Sequence, residues 1–368
     1  MAEDLFVEIS IAHQLGALSG GRIAQDKEER DLALSVGSGG LLWWGHEKAG
    51  PYPYNGWYLD GTKRHQNHED LLNTSRSVNI KKATVALAEI HAAGADFDVF
   101  IDMQDRRIRS LVTETGAVQP VFSFNRIEGA IGRVLWPLPG YQSIDSPEFL
   151  GNMDPTRIPW SQKRDQVAWR GIAGGRANPK GDVRHERTRL MPLLKKVKRG
   201  EVSVDKARML LKQFPRHRFI DKYINDPRFD VGFVDGNRFT LRNEPLLAPL
   251  EKPRVPREDF QEFKYLAVLR GLDIGSSFFW TMNSGSLGLV METPFESFAS
   301  CHFKPWKHYV PFREDLSDFE DRLSWCQNNQ NACQDMVHSA GELCKLLART
   351  DLRHAIARGV IDKYRAKL

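Results

Sequence analysis

The sequence is short of the features that mark unusual classes of protein. Its 368 residues include only four cysteines, too few for a disulfide framework in a chain of this length. No stretch approaches about 18 consecutive apolar residues, so we expect no membrane-spanning helix. Charge of one sign does not dominate either, since 52 Lys and Arg stand against 47 Asp and Glu. These shortages favour a folded, reduced protein and disfavour dedicated nucleic-acid binding.

The N-terminal segment lacks the pattern of an exported protein. The stretch MAEDLFVEISIAHQLGALSGGR begins with acidic residues and contains no basic start, long apolar run or cleavage-type sequence. We therefore expect a cytoplasmic location. The net charge of +5 is compatible with small anionic ligands and with peripheral contact to an anionic membrane surface.

Strand-like and helix-like segments alternate in each half of the chain. Residues 79–93 carry apolar side chains at helical spacing, and residues 97–103 form an apolar run typical of a buried parallel strand. Further strands are predicted at 165–171, 230–235, 264–271 and 286–293. The pattern predicts an α/β protein with two Rossmann-like lobes, whose parallel sheets face a central cleft. We place the lobes at 1–155 and 156–350, with a C-terminal helix at 351–368 that packs on the first lobe.

An acidic residue follows the predicted strand 97–103. Asp105 stands at the C-terminal end of that strand, where parallel sheets bind ligands, and a carboxylate there is suited to act as a general base. The alternative is a structural ion pair with Arg106 or Arg107. Asp102, inside the strand, is interpreted as a structural partner.

A glycine-rich loop follows the predicted strand 165–171. Gly171, Gly174 and Gly175 allow backbone N–H groups to approach a phosphate, and Arg170 and Arg187 add positive charge. The loop has neither the Walker A spacing nor the GxGxxG of a dinucleotide fold. A plain surface loop between strand and helix is the alternative.

Two further pairs of residues in the second half suit a nucleotide ligand. Gly275 and Ser276 precede a predicted helix, either as an anion site or as part of an ordinary N-cap. Glu292 follows a predicted strand, and Glu296 lies near the first turn of a helix expected at residues 295–300. Both carboxylates are suited to accept hydrogen bonds from ribose hydroxyls, or are solvated acids.

Three blocks of sequence resemble the family 90 glycosyltransferases: QVAWRGIAGG, KYLAVLRGLDIGSSFFWTMNSGSLGLVMETPFESF and FKPWKHYVPFREDLSDFEDRLSWCQNN. This family includes capsule-associated and lipopolysaccharide-modifying transferases and protein O-glucosyl- and O-xylosyltransferases. The most specific feature is KPWKHYVP followed by DLSD. The likeness covers roughly residues 160–347 and thins toward the N-terminus, where the strand before Asp105 still resembles the family's strand ending in its catalytic aspartate.

The resemblance implies a two-lobed GT-B fold, a UDP-sugar donor, inversion at the anomeric carbon and no requirement for a metal ion or other cofactor. The implied acceptor is a glycan or lipid-linked saccharide of the cell envelope. Asp105 is implied as the base that deprotonates the acceptor hydroxyl, and Glu296 as a residue near the sugar of the nucleotide. The implied diphosphate contacts are Arg170, Gly171 and Arg187, and the implied donor pocket contains Lys304, Trp306, His308 and Tyr309.

One position departs from the family pattern. Where the family often has a basic residue, residues 276–280 read SSFFW, with neither Lys nor Arg. A leaving diphosphate then has to be neutralised by Arg170, Arg187 or backbone N–H groups. The leading hypothesis is an inverting UDP-sugar glycosyltransferase, and the alternative is a non-catalytic nucleotide- or polyanion-binding protein of the same fold.

Overall fold

The structure is a computed structural model that places the chain in two compact units. It describes residues 2–18, 21–35, 41–45, 52–53, 58–60, 63–65, 78–146, 148–151, 153–186, 188–236 and 240–368. The first unit comprises Met1–Phe149, Pro294–His302 and Lys345–Leu368, and the second comprises Leu150–Thr293 and Phe303–Cys344. Each contains a five-stranded sheet with helices, so the α/β class predicted from the sequence is confirmed.

The elements of the described residues follow in chain order. The helices are α1 Glu3–Leu15, α2 Lys27–Ser35, α3 Val78–Ala92, α4 Leu190–Lys198, α5 Val204–Leu211, α6 Pro215–Tyr223, α7 Phe278–Met282, α8 Phe319–Asn328, α9 Gln330–Ala348 and α10 Thr350–Arg365. The strands are β1 Arg22–Ile23, β2 Leu42–Trp44, β3 Tyr52–Pro53, β4 Tyr58–Asp60, β5 Lys63–His65, β6 Val99–Ile101, β7 Ala117–Val118, β8 Val121–Ser123, β9 Arg126–Ile127, β10 Arg133–Leu135, β11 Arg164–Ile172, β12 Phe229–Val234, β13 Phe263–Val268, β14 Leu287–Met291, β15 Phe295–Glu296 and β16 Val310–Phe312.

The sheet of the first unit has the order β10-β8-β6-β2-β3. The strands β10, β8 and β6 are parallel, whereas β2 runs antiparallel to β6 and β3 antiparallel to β2. The expectation of a purely parallel sheet is therefore wrong for this half. Helix α10 packs against α1, where Gly359 is in close contact with the end of the Ile11 side chain. The C-terminal helix thus belongs to the first unit.

The first unit also takes a segment that we expected in the second lobe. Residues 295–300 are predicted as helix, but Phe295 and Glu296 form β15, which pairs antiparallel with β9. The Arg126 guanidinium ion-pairs with Glu296 at 2.7 Å and fixes this pairing. The second unit is therefore not the continuous run 156–350, because Pro294–His302 and Lys345–Leu368 lie in the first unit.

The sheet of the second unit is entirely parallel, with the order β12-β11-β13-β14-β16. Strands β12, β13 and β14 are almost completely buried, which explains their near-continuous apolar runs in the sequence. After β11 the chain adds β12 on one side and then returns to add β13 on the other. The neighbouring ends of β11 and β13 therefore form a topological switch point, the place where open α/β sheets bind ligands. Among the described residues no helix is long and apolar enough to cross a bilayer.

Candidate functional site

The switch point of the second unit carries an arginine from a neighbouring helix. Arg216 is the second residue of α6, which begins with Pro215 at a position suited to proline. Its Nε donates to the carbonyl of Arg270 at 3.2 Å, and its Nη2 donates to that of Leu269 at 3.3 Å. Its Nη1 donates to the carbonyl of Ile172, the last residue of β11, at 3.2 Å. The guanidinium thus lies across the carboxyl ends of β11 and β13.

The charge of Arg216 persists at neutral pH. Burial lowers its pKa to about 10, and the negative charge of Asp273 works in the opposite direction. No ion pair joins Arg216 to a carboxylate of the described residues, and the acceptors of its hydrogen bonds are backbone carbonyls. The switch point therefore holds a positive charge that no directly bonded carboxylate neutralises.

Glycines at this edge allow the chain to pack closely around Arg216 and the end of β13. A Cβ at Gly271 would lie 2.9 Å from Nη2 of Arg216, and one at Gly275 would lie 2.9 Å from the carbonyl oxygen of Leu269. Gly175 has φ +96, in the left-handed region that favours glycine, and faces the carbonyl of Gly271. Gly271 and Gly275 are therefore required for the close packing of Arg216 and the end of β13 at this edge.

A buried ion-pair cluster holds the glycine-rich loop against the sheet. Arg270 is 1% exposed, and its Nη2 lies 2.6 Å from Glu186 Oε1 and its Nε 2.5 Å from Glu314 Oε2. Asn178 donates to the other oxygen of Glu314 at 2.8 Å. Burial disfavours the charge of Arg270, but the two carboxylates raise its pKa above the ordinary value. Because both carboxylates contact this guanidinium directly, its charge is internally neutralised.

Arg170 has different partners from those of Arg216. Its Nη2 ion-pairs with Asp230 Oδ1 at 2.7 Å, its Nη1 donates to the carbonyl of the same residue at 2.7 Å, and its Nε donates to the carbonyl of Pro253. Gly171 lies next to the end of β11, near the switch point. Arg187 lies outside the described residues. The diphosphate contacts at Arg170, Gly171 and Arg187 stay a prediction.

The turn before α7 differs from the simple helix start that the sequence indicated. Helix α7 has five residues, and its N-cap position is occupied by Ser277, whose side chain makes no capping hydrogen bond. Gly275 accepts the N–H of Phe278 through its carbonyl, and Ser276 is exposed. A helix this short adds little dipole to an anion site. The role of Gly275 and Ser276 in binding stays a prediction.

The segment 304–309 forms a tight turn directly before β16. His308 is buried, and its Nδ1 accepts the backbone N–H of Lys304 at 2.8 Å, which leaves the proton of the neutral ring on Nε2. Burial lowers the pKa of His308, and the neighbouring lysines add to the effect. Trp306 has φ +61, and its ring packs against Trp325 at 5.0 Å between centroids. Lys304 is exposed.

Tyr309 directly precedes β16, and Glu292 directly follows the neighbouring strand β14. Burial raises the pKa of Tyr309, and the negative charge of Glu292 adds to the increase. Glu292 follows β14, is exposed, and donates its N–H to the carbonyl of Phe312. Glu296, by contrast, lies in the first unit, where it ion-pairs with Arg126. The two glutamates therefore do not form one ribose site within either unit.

The predicted general base follows β6 in the first unit. Asp105 is exposed, and the structure gives its carboxylate no ion pair with the described residues. Arg107 instead ion-pairs with the buried Asp102 at 2.6 Å, while its Nη2 donates to the backbone carbonyl of Asp105 at 2.8 Å. Arg133 approaches the same oxygen of Asp102 at 3.2 Å. The structural role predicted for Asp102 is confirmed, and the carboxylate of Asp105 remains open to solvent.

A model of one protein family matches most of the chain. The family is described as "Glycosyl transferase family 90", and the match extends over residues 64–352. The chain belongs to glycosyl transferase family 90. The match includes Asp105, the glycine-rich loop and the switch point, so the candidate residues of both units fall within the family region.

Individual relatives of this family 90 chain align over shorter stretches. O-glucosyltransferase LpsA of Dichelobacter nodosus is 21% identical over 57% of the chain and 52% of its own length. Protein O-glucosyltransferase 3 of Rattus norvegicus is 26% identical over 29% of the chain and 21% of its own length. Uncharacterized protein 027R of Frog virus 3 (isolate Goorha) is 32% identical over 25% of the chain and 10% of its own length. The chain thus spans from a tenth to about half the length of these relatives.

Sequence reasoning missed Arg216 and Arg270 as charged residues at the switch point of the second sheet. Arg216 falls in the Lys- and Arg-rich stretch 184–218, whose plain interpretation is a solvated helix face. The one local signal is its place directly after Pro215, which marks the start of a helix. Arg270 ends the apolar run KYLAVLR, where an abrupt charge after a buried strand signals either a ligand contact or a buried ion pair.

Proposed function

We propose that this chain is an inverting glycosyltransferase that moves a sugar from a UDP-sugar to a hydroxyl of a cell-envelope glycan or lipopolysaccharide-type acceptor. Family membership supports glycosyl transfer, and two relatives named as O-glucosyltransferases make glucose the first sugar to test. A GT-B arrangement of the two units, a cytoplasmic location and independence from metal ions belong to the same proposal.

The edge of the second sheet supports the donor part of this proposal. A parallel sheet binds ligands at its switch point, and here that point combines glycine backbone with the guanidinium of Arg216. Transfer of the sugar leaves additional negative charge on the UDP oxygen, which a fixed positive charge stabilises. This combination is the single observation that carries the proposal.

Asp105 supports the acceptor part. In an inverting transfer, the acceptor oxygen forms the new bond to the anomeric carbon as the bond to UDP breaks, and the hydroxyl proton passes to a base. Asp105 is exposed and its carboxylate has no ion pair in the described structure, so its oxygens can accept that proton. The neighbouring pair of Asp102 and Arg107 holds the end of β6 in place.

The test is release of UDP from a panel of UDP-sugars, measured with EDTA present and with candidate acceptors. We expect the wild type to consume one donor and Asp105→Asn to lose this turnover while still binding UDP. Glu114→Gln, which removes another exposed carboxylate of the first unit, is the matched control and keeps the activity. If UDP binds but no donor is consumed, the non-catalytic alternative replaces the proposal.

A further inference from the structure

We infer that Arg216 binds the diphosphate of the donor, and so supplies the positive charge that residue 279 does not provide in this chain. The inference rests on the proposed function of the switch point as a nucleotide-sugar site. It adds a residue outside the three blocks of sequence that carry the family likeness.

The hydrogen bonds of Arg216 leave part of its guanidinium available. An arginine side chain has five N–H groups in a planar fork, and three of them are directed to the carbonyls of Ile172, Leu269 and Arg270. The two that remain match the two-point recognition of phosphate oxygens by arginine. Arg216 is half-buried, with its guanidinium carbon 5.8 Å from the ring centroid of Trp169, so its position is fixed before a ligand arrives.

The other side chains considered for the diphosphate are unsuited to binding it. Arg270 lies between Glu186 and Glu314, and an anion bound to its guanidinium would have to displace a buried carboxylate. Arg170 is engaged by Asp230. Phe279 is buried, with its ring 6.0 Å from that of Phe303.

A substitution at Gly271 changes the position of the Arg216 guanidinium without removing it. A Cβ at this position would lie 2.9 Å from Nη2 and 3.1 Å from the guanidinium carbon. Because the obstructing group is the end of a flexible side chain, Gly271→Ala moves the guanidinium while keeping its charge. The substitution therefore tests the position of the charge, whereas Arg216→Gln tests its presence.

The experiment compares the binding of UDP and of uridine by titration calorimetry, with uridine measured in competition. For Arg216→Gln we expect UDP to bind about tenfold to a hundredfold more weakly, the loss of one charged hydrogen-bonding group, with uridine unchanged. Lys222→Gln is the matched control, because it removes an exposed positive charge from the last turn of the same helix. It should leave both affinities within about twofold of the wild type, since an exposed charge contributes little.

Further variants separate binding from folding. Gly271→Ala is expected to weaken UDP binding to an intermediate degree, again without affecting uridine, and thermal melting reports whether each variant folds. If Arg216→Gln does not fold, the result for Gly271→Ala decides. Equal losses for UDP and uridine, or no loss of UDP binding, overturn the role of Arg216 and leave the proposed function standing. Failure of the wild type to bind UDP or any UDP-sugar instead overturns the proposed function, and this inference with it.

Discussion

Arg107 and Asp102 form a buried ion pair, with Nη1 of the arginine 2.6 Å from Oδ2 of the aspartate. The same arginine donates to the backbone carbonyl of Asp105, three residues further along the chain from Asp102. Arg106, which lies between Asp105 and Arg107, has φ +61, a left-handed conformation that turns the chain back on itself. The ion pair therefore fixes the loop that carries the candidate base without engaging the carboxylate of that base.

The first prediction concerns this ion pair. Asp102→Ala leaves the guanidinium groups of Arg107 and Arg133 buried without their shared carboxylate, so we expect the free energy of unfolding to fall by about 3–5 kcal/mol. Urea unfolding measures the change. Asp105→Asn is the control, since an exposed carboxylate without an ion pair should alter stability by no more than about 0.5 kcal/mol. Similar stabilities for the two variants would contradict the proposed division of roles.

The second prediction concerns the cluster that holds the glycine-rich loop. Arg270→Met leaves Glu186 and Glu314 without their common partner, and we expect a loss of about 3–5 kcal/mol in the free energy of unfolding. Proteolytic cleavage within residues 173–186 should become faster, because the loop is no longer tied to β13. Arg208→Met, which breaks only an exposed pair with Asp205, should cost less than about 1 kcal/mol. An unchanged rate of cleavage would show that the loop is held by other contacts.

The sequence identified β6 in the first sheet and four of the five strands of the second sheet, because each is a short apolar run ending in charge or glycine. The run 97–103 contains β6, and the run 230–235 nearly coincides with β12, Phe229–Val234. Apolar periodicity also located α3 within one residue at each end. Local pattern was sufficient wherever burial alone determined the conformation.

Local sequence patterns could not predict which distant segments pair with each other. Residues 295–300 read as a helix start, yet β15 forms because Phe295 and Glu296 find a partner strand in β9, far earlier in the chain. Arg216 reads as one cation among many in a basic helical stretch. Its placement becomes visible only once β11 and β13 are known to be neighbours, since its three acceptors come from the ends of those strands.

The third prediction concerns metal ions. If Arg216 and backbone N–H groups neutralise the leaving diphosphate, turnover of the donor should be the same with EDTA as without it. The measurement is the rate of UDP release by the wild type in both conditions. A rate that falls with EDTA and returns on addition of Mg²⁺ or Mn²⁺ would contradict the prediction and assign the neutralising charge to a metal ion.

The fourth prediction is a pH dependence of stability caused by Lys163, a buried lysine at the start of β11. Its Nζ donates to the carbonyl of Gln261 and to Oγ of Ser286, and burial lowers its pKa to about 8 from 10.5. Between these two values the unfolded chain binds the proton more tightly than the folded protein, so stability rises with pH across this interval. A shift of this size corresponds to about 3 kcal/mol.

Urea unfolding from pH 7 to pH 10 should therefore show the wild type gaining stability relative to Lys163→Met. The control Lys222→Gln, which lacks only an exposed lysine, should follow the wild type at every pH. A constant difference between the wild type and Lys163→Met would mean that Lys163 stays protonated in the folded protein.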